Sequence, residues 1–370
     1  MIPRLAAVAV LAAACAGCAA RSAKPGRPVL DADARRDAIA RARVWAPTQV
    51  ARMDVARGPA GKGSFPPDAT VSCTYVERVS SGNTPKFYCR LADGDEIKVK
   101  FGRENGEVYA EVAATRLLWA LGFASDAMYP ARVSCLGCPP EPGAPPLPGV
   151  VTTFDAAAIE RKAPGHALKG RDGDGWSWPE LDAVDPAPGG STRAERDALK
   201  LLAAMIQHTD TKPDQQSLVC RDGRDGRDDG PEGRTTCRRP WLLISDLGKT
   251  FGRASAMNMD RPSSVNLKAW SDTPVWAGDA GCRASLERSV TGTLDHPVIS
   301  DEGRRFLLSL LRRLTDRQLH DLFTVARFPM RSEARFKDPE GRDVDAWVSA
   351  FKDKVAQIAD RSCAVARRTP

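Results

Sequence analysis

Apolar and polar residues alternate with a period of two over residues 70–79, 86–91 and 96–101, and turn-forming residues separate the runs at 80–85 and 92–95. Successive side chains on a strand point to opposite faces, so this spacing predicts three consecutive strands joined by tight turns. The period then lengthens. Residues 105–121 carry apolar side chains at helical spacing and stop at Gly122, which predicts a long amphipathic helix. Helical spacing returns at 192–207, where Thr192 and Glu195 match a capping box and Leu199, Leu202 and Ile206 form one apolar stripe. Two short apolar runs, 217–220 and 241–245, read as strands. They flank residues 221–236, an Asp-, Gly- and Arg-rich insert. Past Phe251 the pattern offers helices only, at 301–314, 316–325 and 343–366, and a further short helix is predicted within 31–45.

The chemistry concentrates between these elements. Residues 208–215 read His208-Thr-Asp210-Thr-Lys212-Pro-Asp-Gln215, between the 192–207 helix and the first short strand. The second short strand runs directly into Asp246-Leu-Gly248. The first run resembles the catalytic loop of protein kinases, H-R-D-x-K-P-E-N, and the second resembles their D-F-G segment. The resemblance implies that Asp210 prepares an attacking hydroxyl, that Lys212 reaches the transferred phosphoryl group, and that Asp246 and the amide of Gln215 hold magnesium. Gln215 stands where kinases carry Asn. It keeps the carbonyl oxygen on a side chain one methylene longer. The Asp210–Asp246 separation exceeds that of ordinary kinases, and the insert 221–236, bracketed by Cys220 and Cys237, accounts for the excess. No A-P-E segment follows Gly248. His208 is expected to be structural, hydrogen-bonding the loop backbone as the motif's His does.

In that family a Lys on the third strand holds the nucleotide phosphates and pairs with a Glu on the following helix. Lys98 and Lys100 alternate onto one face of the 96–101 strand. Lys100, nearer the helix, is the preferred residue, and Glu111, about one turn into the helix, is preferred over Glu107. Two segments compete for the phosphate loop. Residues 58–65 have the denser glycines, but 80–86 have the right topology, and backbone N–H groups in such a turn make an anion nest. The second segment supplies Ser81, Gly82, Asn83, Thr84 and Lys86, and it resembles the short S/G-x-x-P-K loop of bacterial toxin serine kinases with a lipid-kinase-like N-lobe.

The resemblance implies a bilobal α+β, protein-kinase-like fold. An antiparallel-sheet N-lobe with one long helix occupies 46–154, and a mainly helical C-lobe occupies 155–370. ATP and magnesium are the implied cofactors, and the acceptor is a hydroxyl of a protein, sugar or lipid. Two alternatives stay open: a pseudokinase that binds nucleotide or a partner without turnover, and nucleotide rather than phosphate transfer.

The N-terminus carries a different signal. A basic start, Met1-Ile-Pro-Arg4, precedes an apolar run over 5–14 that is too short to span a bilayer, and the run leads to Cys15-Ala-Gly-Cys18. This resembles a bacterial lipoprotein signal with Cys18 as the lipidated residue, preceded by the favoured small pair. An ordinary secretory signal is the alternative. The chain is then read as a signal over 1–18, and a tether and short helix over 19–45. Its expected location is the cell envelope, lipid-anchored at the outer membrane or cell surface.

An exported chain meets oxidising conditions, so its cysteines read first as disulfides. Of ten, eight follow Cys18, an even number. Cys73 and Cys89 lie on the two arms of the first hairpin. Cys220 and Cys237 pin the base of the insert. Cys135 and Cys138 have CxxC spacing, read as a local disulfide because no second CxxC or His cluster is evident for zinc. Cys282 and Cys363 pair by elimination. Composition adds little: 42% apolar and 27% charged residues suit a globular domain. The net charge of +7 is spread over Arg-rich helices and reads as a solvated surface, with no nucleic-acid partner. The Asp–Gly runs at 221–233 and 170–175 lack the register of a calcium loop.

Overall fold

The computed structural model describes residues 29–363 except 79–81, 83, 142, 171–174, 222–236, 258–262, 280 and 335–339. Cys18, Ser81, Asn83 and residues 222–236 of the insert lie outside the described residues.

The three expected strands are β1 (Ala69–Val76), β2 (Lys86–Arg90) and β3 (Glu96–Phe101), and two more follow, β4 (Ala127–Leu136) and β5 (Val151–Arg161). The hydrogen-bonded order is β1-β2-β3-β5-β4, and β4 returns to pair with β1, closing a five-stranded barrel. The closing pair is parallel, with Cys73 opposite Cys135, so the sheet is mixed and not purely antiparallel as anticipated. Closure leaves no strand edge free to pair with another chain. The boundary expected at 154 falls inside β5, whose bonds to β3 and β4 complete the barrel, so this unit runs on to Arg161. The interior is apolar. Phe87, Phe101 and Phe154 pack with centroids 4.7–5.4 Å apart, with Val71, Ile97, Val99 and Val133 around them.

A short helix, α1 (Ala32–Ala40), precedes the barrel, and α2 (Glu107–Leu121) crosses between β3 and β4. The amphipathic pattern expected for α2 is not what the fold uses. Every residue except Trp119 is buried, because the barrel strands β4 and β5 cover one side and later helices cover the other. α2 ends at Gly122, at φ +90°, where a Cβ would sit 2.1 Å from the Ala46 carbonyl oxygen. Only glycine fits both that dihedral and that approach.

The remainder is mainly helical: α3 (Arg193–Met205), α4 (Leu267–Asp272), α5 (Asp301–Leu311), α6 (Asp316–Val325), α7 (Phe328–Ala334) and α8 (Val344–Asp360). Both bonds of the Thr192–Glu195 capping box are present at the start of α3. α5 lies along α3, and α6 and α7 pack on α2. Between α3 and α4, β6 (Gln216–Cys220) pairs antiparallel with β7 (Pro240–Ile244). Cys220 stands opposite Pro240, so the insert leaves and rejoins the hairpin at its end, where the Cys220–Cys237 disulfide closes it. The other three anticipated bridges, Cys73–Cys89, Cys135–Cys138 and Cys282–Cys363, are also formed.

An aromatic cluster of Phe251, Trp270, Phe323, Phe328 and Trp347 centres the helical part. Phe251 adopts φ +57°, a region unfavourable to a bulky residue. Its packing, and its N–H bond to the Ile206 carbonyl at 2.7 Å, hold it there. No helix among the described residues is long and apolar enough to cross a membrane.

Candidate active site

Strand alternation sends Val99 into the barrel and Lys98 and Lys100 to the opposite face. Lys100, only 1% exposed, lies under the first two turns of α2. Its Nζ donates to Glu107 Oε2 at 2.9 Å and Glu111 Oε1 at 2.8 Å, and it lies 3.3 Å from Asp246 Oδ2. Glu107 and Glu111 are one helical turn apart and so share a face. The preferred Lys and Glu therefore meet, and Glu107, the second choice, shares the same ammonium. Thr84 donates to Glu107 Oε1 at 2.7 Å, which ties the turn before β2 to the start of α2. Lys249 Nζ approaches the same oxygen at 3.5 Å.

Asp246 follows β7 after one intervening residue, Ser245. Its Oδ1 accepts from the Gly248 N–H at 3.0 Å, a local turn that aims the other oxygen at Lys100. A Cβ on Gly248 would lie 2.6 Å from Glu107 Cγ, so the third position of the Asp-x-Gly segment has no room for a side chain.

Three carboxylates around one buried ammonium do not all behave as ordinary acids. Burial pulls the Lys100 ammonium down, but Asp246, Glu111 and Glu107 more than reverse this and hold it charged. Burial pushes Glu111 well up, Lys100 only partly opposes it, and the neighbouring carboxylates add to the rise. Glu111 Oε2 is buried and accepts no hydrogen bond among the described residues, and a protonated Glu111 is placed to donate to Asp246. Asp246 and Glu107 stay ionised: burial opposes this, but Lys100 dominates and holds both below the usual carboxylate range.

The loop bearing Asp210 is fastened to this cluster by backbone bonds. The Gln215 carbonyl accepts from the N–H groups of Ser245 and Asp246, at 2.9 and 3.2 Å, and the Thr209 N–H donates to the Lys249 carbonyl at 3.0 Å. Asp210 and Asp246 are thus held in one frame despite the insert between them. On its other side the loop is braced by Thr293, whose hydroxyl donates to the Thr211 carbonyl at 2.7 Å. Asp210 accepts from Gln215 Nε2 at 3.2 Å, with Lys212 Nζ 3.9 Å away. Burial raises the Asp210 carboxyl to about 6; Asp246 adds to the rise and Lys212 partly offsets it.

His208 differs from expectation. Its ring is wholly buried, lies 6.0 Å from the Trp178 ring, and has no hydrogen bond from either nitrogen among the described residues. Burial lowers it to about 4, so it is a neutral packing group and not a hydrogen-bonding strut.

Lys100, Asp210, Lys212, Gln215 and Asp246 all line one cleft of about 1760 Å³, together with Gly82, Thr84, Lys86 and Lys98. Lys86 stands opposite Lys100 in the β2–β3 register. Burial, then the charges of Lys98 and Lys100, lower its pKa, and Glu107 and Asp246 partly offset this. Lys98 is engaged elsewhere, 2.6 Å from buried Glu160 on β5. Neither Glu160 nor Lys249 was anticipated. Glu160 belongs to a strand that the residue pattern did not reveal, whereas Lys249 directly follows the Asp246-Leu-Gly248 segment and was legible there. The oxygen donors of Asp246, Asp210 and Gln215 in one cleft suit a hard divalent cation such as magnesium.

No family model matches the chain, and no curated protein matches it. Among solved structures, a Helicobacter pylori proinflammatory kinase, CtkA, is 9% identical over 77% of this chain and 92% of its own, with a TM-score of 0.41. The Rio2 kinase from Chaetomium thermophilum, solved as an ADP/Mg2+-phosphoaspartate complex, is 13% identical over 71% and 72%, with a TM-score of 0.29.

Proposed function

We propose that this protein is a kinase-like phosphotransferase that takes magnesium ATP into the cleft and transfers a phosphoryl group to a hydroxyl of a protein, sugar or lipid acceptor. One observation carries the reading: buried Lys100 bridges Glu111 on α2 and Asp246 after β7, in the same cleft as Asp210. In this reading Lys100 and Lys86 neutralise the nucleotide phosphates, with Gly82 and Thr84 beside them. Asp246 is the main magnesium ligand and Gln215 an accessory one. Asp210 accepts or orients the hydroxyl proton, and Lys212 neutralises charge on the moving phosphoryl. A magnesium ion held by Asp246 and Gln215 would offset the charge that develops on the transferred phosphoryl group.

Thermal unfolding with ATP, with and without magnesium, tests the metal assignment. Wild type is expected to be stabilised more by ATP with magnesium than without. Asp246→Ala should lose the magnesium-dependent part, and Gln215→Asn should keep or strengthen it. An Asp246→Ala protein that still gains the full magnesium-dependent shift rules out Asp246 as the metal ligand.

A second reading, nucleotide binding without turnover, is favoured by the Gln215 amide, which hydrogen-bonds the carboxylate that would have to act as base. Phosphate released or transferred from labelled ATP separates the two readings. Both share an exported setting in which Cys18 carries a lipid. Cys18→Ser should move the protein from the membrane fraction to the soluble fraction. If Cys18→Ser stays membrane-bound while Cys15→Ser does not, the anchor is Cys15.

A further inference from the structure

We propose that, when its thiols are reduced, the barrel holds a zinc ion on Cys73, Cys89, Cys135 and Cys138. The CxxC pair on its own gives two ligands of the four that a closed structural zinc site needs. The fold supplies the others. The parallel β1–β4 register sets Cys73 directly opposite Cys135, and Cys89 reaches the same point from β2. The sulfurs of Cys73, Cys89 and Cys135 lie within 4.8 Å of one another, and Cys138 is held beside Cys135.

Zinc thiolate bonds of about 2.3 Å in a tetrahedron separate the sulfurs by roughly 3.8 Å. The Cys135 sulfur is therefore within about an ångström of that spacing from the Cys73 and Cys89 sulfurs, whereas each bonded pair has to spread from bonding distance and Cys138 has to join the group. All four cysteines are buried, and the side chains packed with them, such as Val71, Phe87, Ile97 and Val133, are apolar. No His, Asp or Glu among the described residues joins that group of sulfurs, and four soft thiolates select zinc over magnesium. None of the four residues belongs to the Lys100–Asp246 cluster, so the inference stands apart from the proposed phosphotransfer.

The zinc state keeps the ties that the disulfides make and adds one between them. As disulfides the cysteines join β1 to β2 and the end of β4 to the turn after it; as zinc ligands they join all of these at one point. A phosphine reduces each disulfide by breaking the S–S bond. Water supplies two protons and the oxygen of the phosphine oxide, and two thiols remain. Zinc then displaces the four thiol protons.

The test uses the full chain, treated anaerobically with excess phosphine, mixed with zinc sulfate, desalted, and analysed for metal per chain. About one zinc per chain is expected in reduced protein and none in oxidised protein. Cobalt in place of zinc should give the intense visible bands of a tetrahedral thiolate site. Cys73→Ser and Cys135→Ser should each weaken zinc binding about ten-fold or more, whereas Cys282→Ser combined with Cys363→Ser should not. Reduced wild type without stoichiometric zinc overturns the proposal. So does full binding by the Cys73→Ser or Cys135→Ser variant. Should those variants fail to fold, the cobalt spectrum of the wild type decides: metal uptake without thiolate bands places the ion elsewhere and overturns the site.

Discussion

Lys100→Met is expected to abolish ATP binding and to lower folding stability by about 3–5 kcal/mol near neutral pH, the range for removing one partner of a buried ion pair. Methionine fills the space of the lysine stem but leaves Glu107, Glu111 and Asp246 facing one another without their shared cation. Carboxylates in that position take up protons, so their folded-state pKa values rise above those of the unfolded chain. The sign follows from linkage. The folded variant then binds more protons than the unfolded chain, so its stability is fully present below the unfolded carboxylate pKa and falls as pH rises through the raised values. The deficit against wild type should therefore be larger at pH 8 than at pH 5. Chemical denaturation at the two pH values measures it. Equal stability of variant and wild type at pH 8 would show that the three carboxylates do not depend on Lys100.

Asp210→Asn is expected to cut phosphoryl transfer by about 10²–10⁴-fold, the usual contribution of a positioned general base, while leaving ATP affinity near that of wild type. Asn keeps the shape but cannot accept the proton. Because the Asp210 carboxyl is raised to about 6, wild-type turnover should fall as pH drops below that value, and the residual turnover of the variant should lack this limb. Stability should move the other way. A raised carboxyl contributes stability that is present below the unfolded value and is lost as pH rises through about 6. The neutral amide avoids that loss, so the variant should melt no lower than wild type at pH 7.5, and any advantage should vanish toward pH 4. Unchanged turnover in Asp210→Asn would falsify the catalytic assignment.

What was legible in the residues was local. The loop from His208 to Gln215 and the Asp246-Leu-Gly248 segment each fit within a few residues, and helix and strand periodicity around them placed them in order. β1, β2 and β3 were legible because their alternation is clean and turn residues separate them. β4 was hidden because Pro130 sits within it and argues against a strand interior. β5 was hidden because its Ala156-Ala-Ala158 run has weak strand preference. Both strands are stabilised by barrel closure, a non-local contact that no window of residues displays. The same closure set Cys73 beside Cys135. The burial of α2 also escaped notice, since the helices that cover it lie some two hundred residues downstream. The motif implies a hydrogen-bonding role for His208, whereas the buried ring packs beside Trp178.

The enclosure of α2 constrains how this site is controlled. In ordinary kinases, moving the glutamate-bearing helix makes or breaks its contact with the strand lysine and so sets activity. Here that helix is wedged between barrel and helical layer, its end jammed where Gly122 meets Ala46, and its start clasped by Thr84. Swinging it outward would strip nearly every residue of its packing, a cost comparable to unfolding the region. Lys100 and Glu111 thus behave as a fixed fitting rather than a toggle. On the proposed reading, any on–off regulation falls to something other than this helix, such as the supply of nucleotide itself.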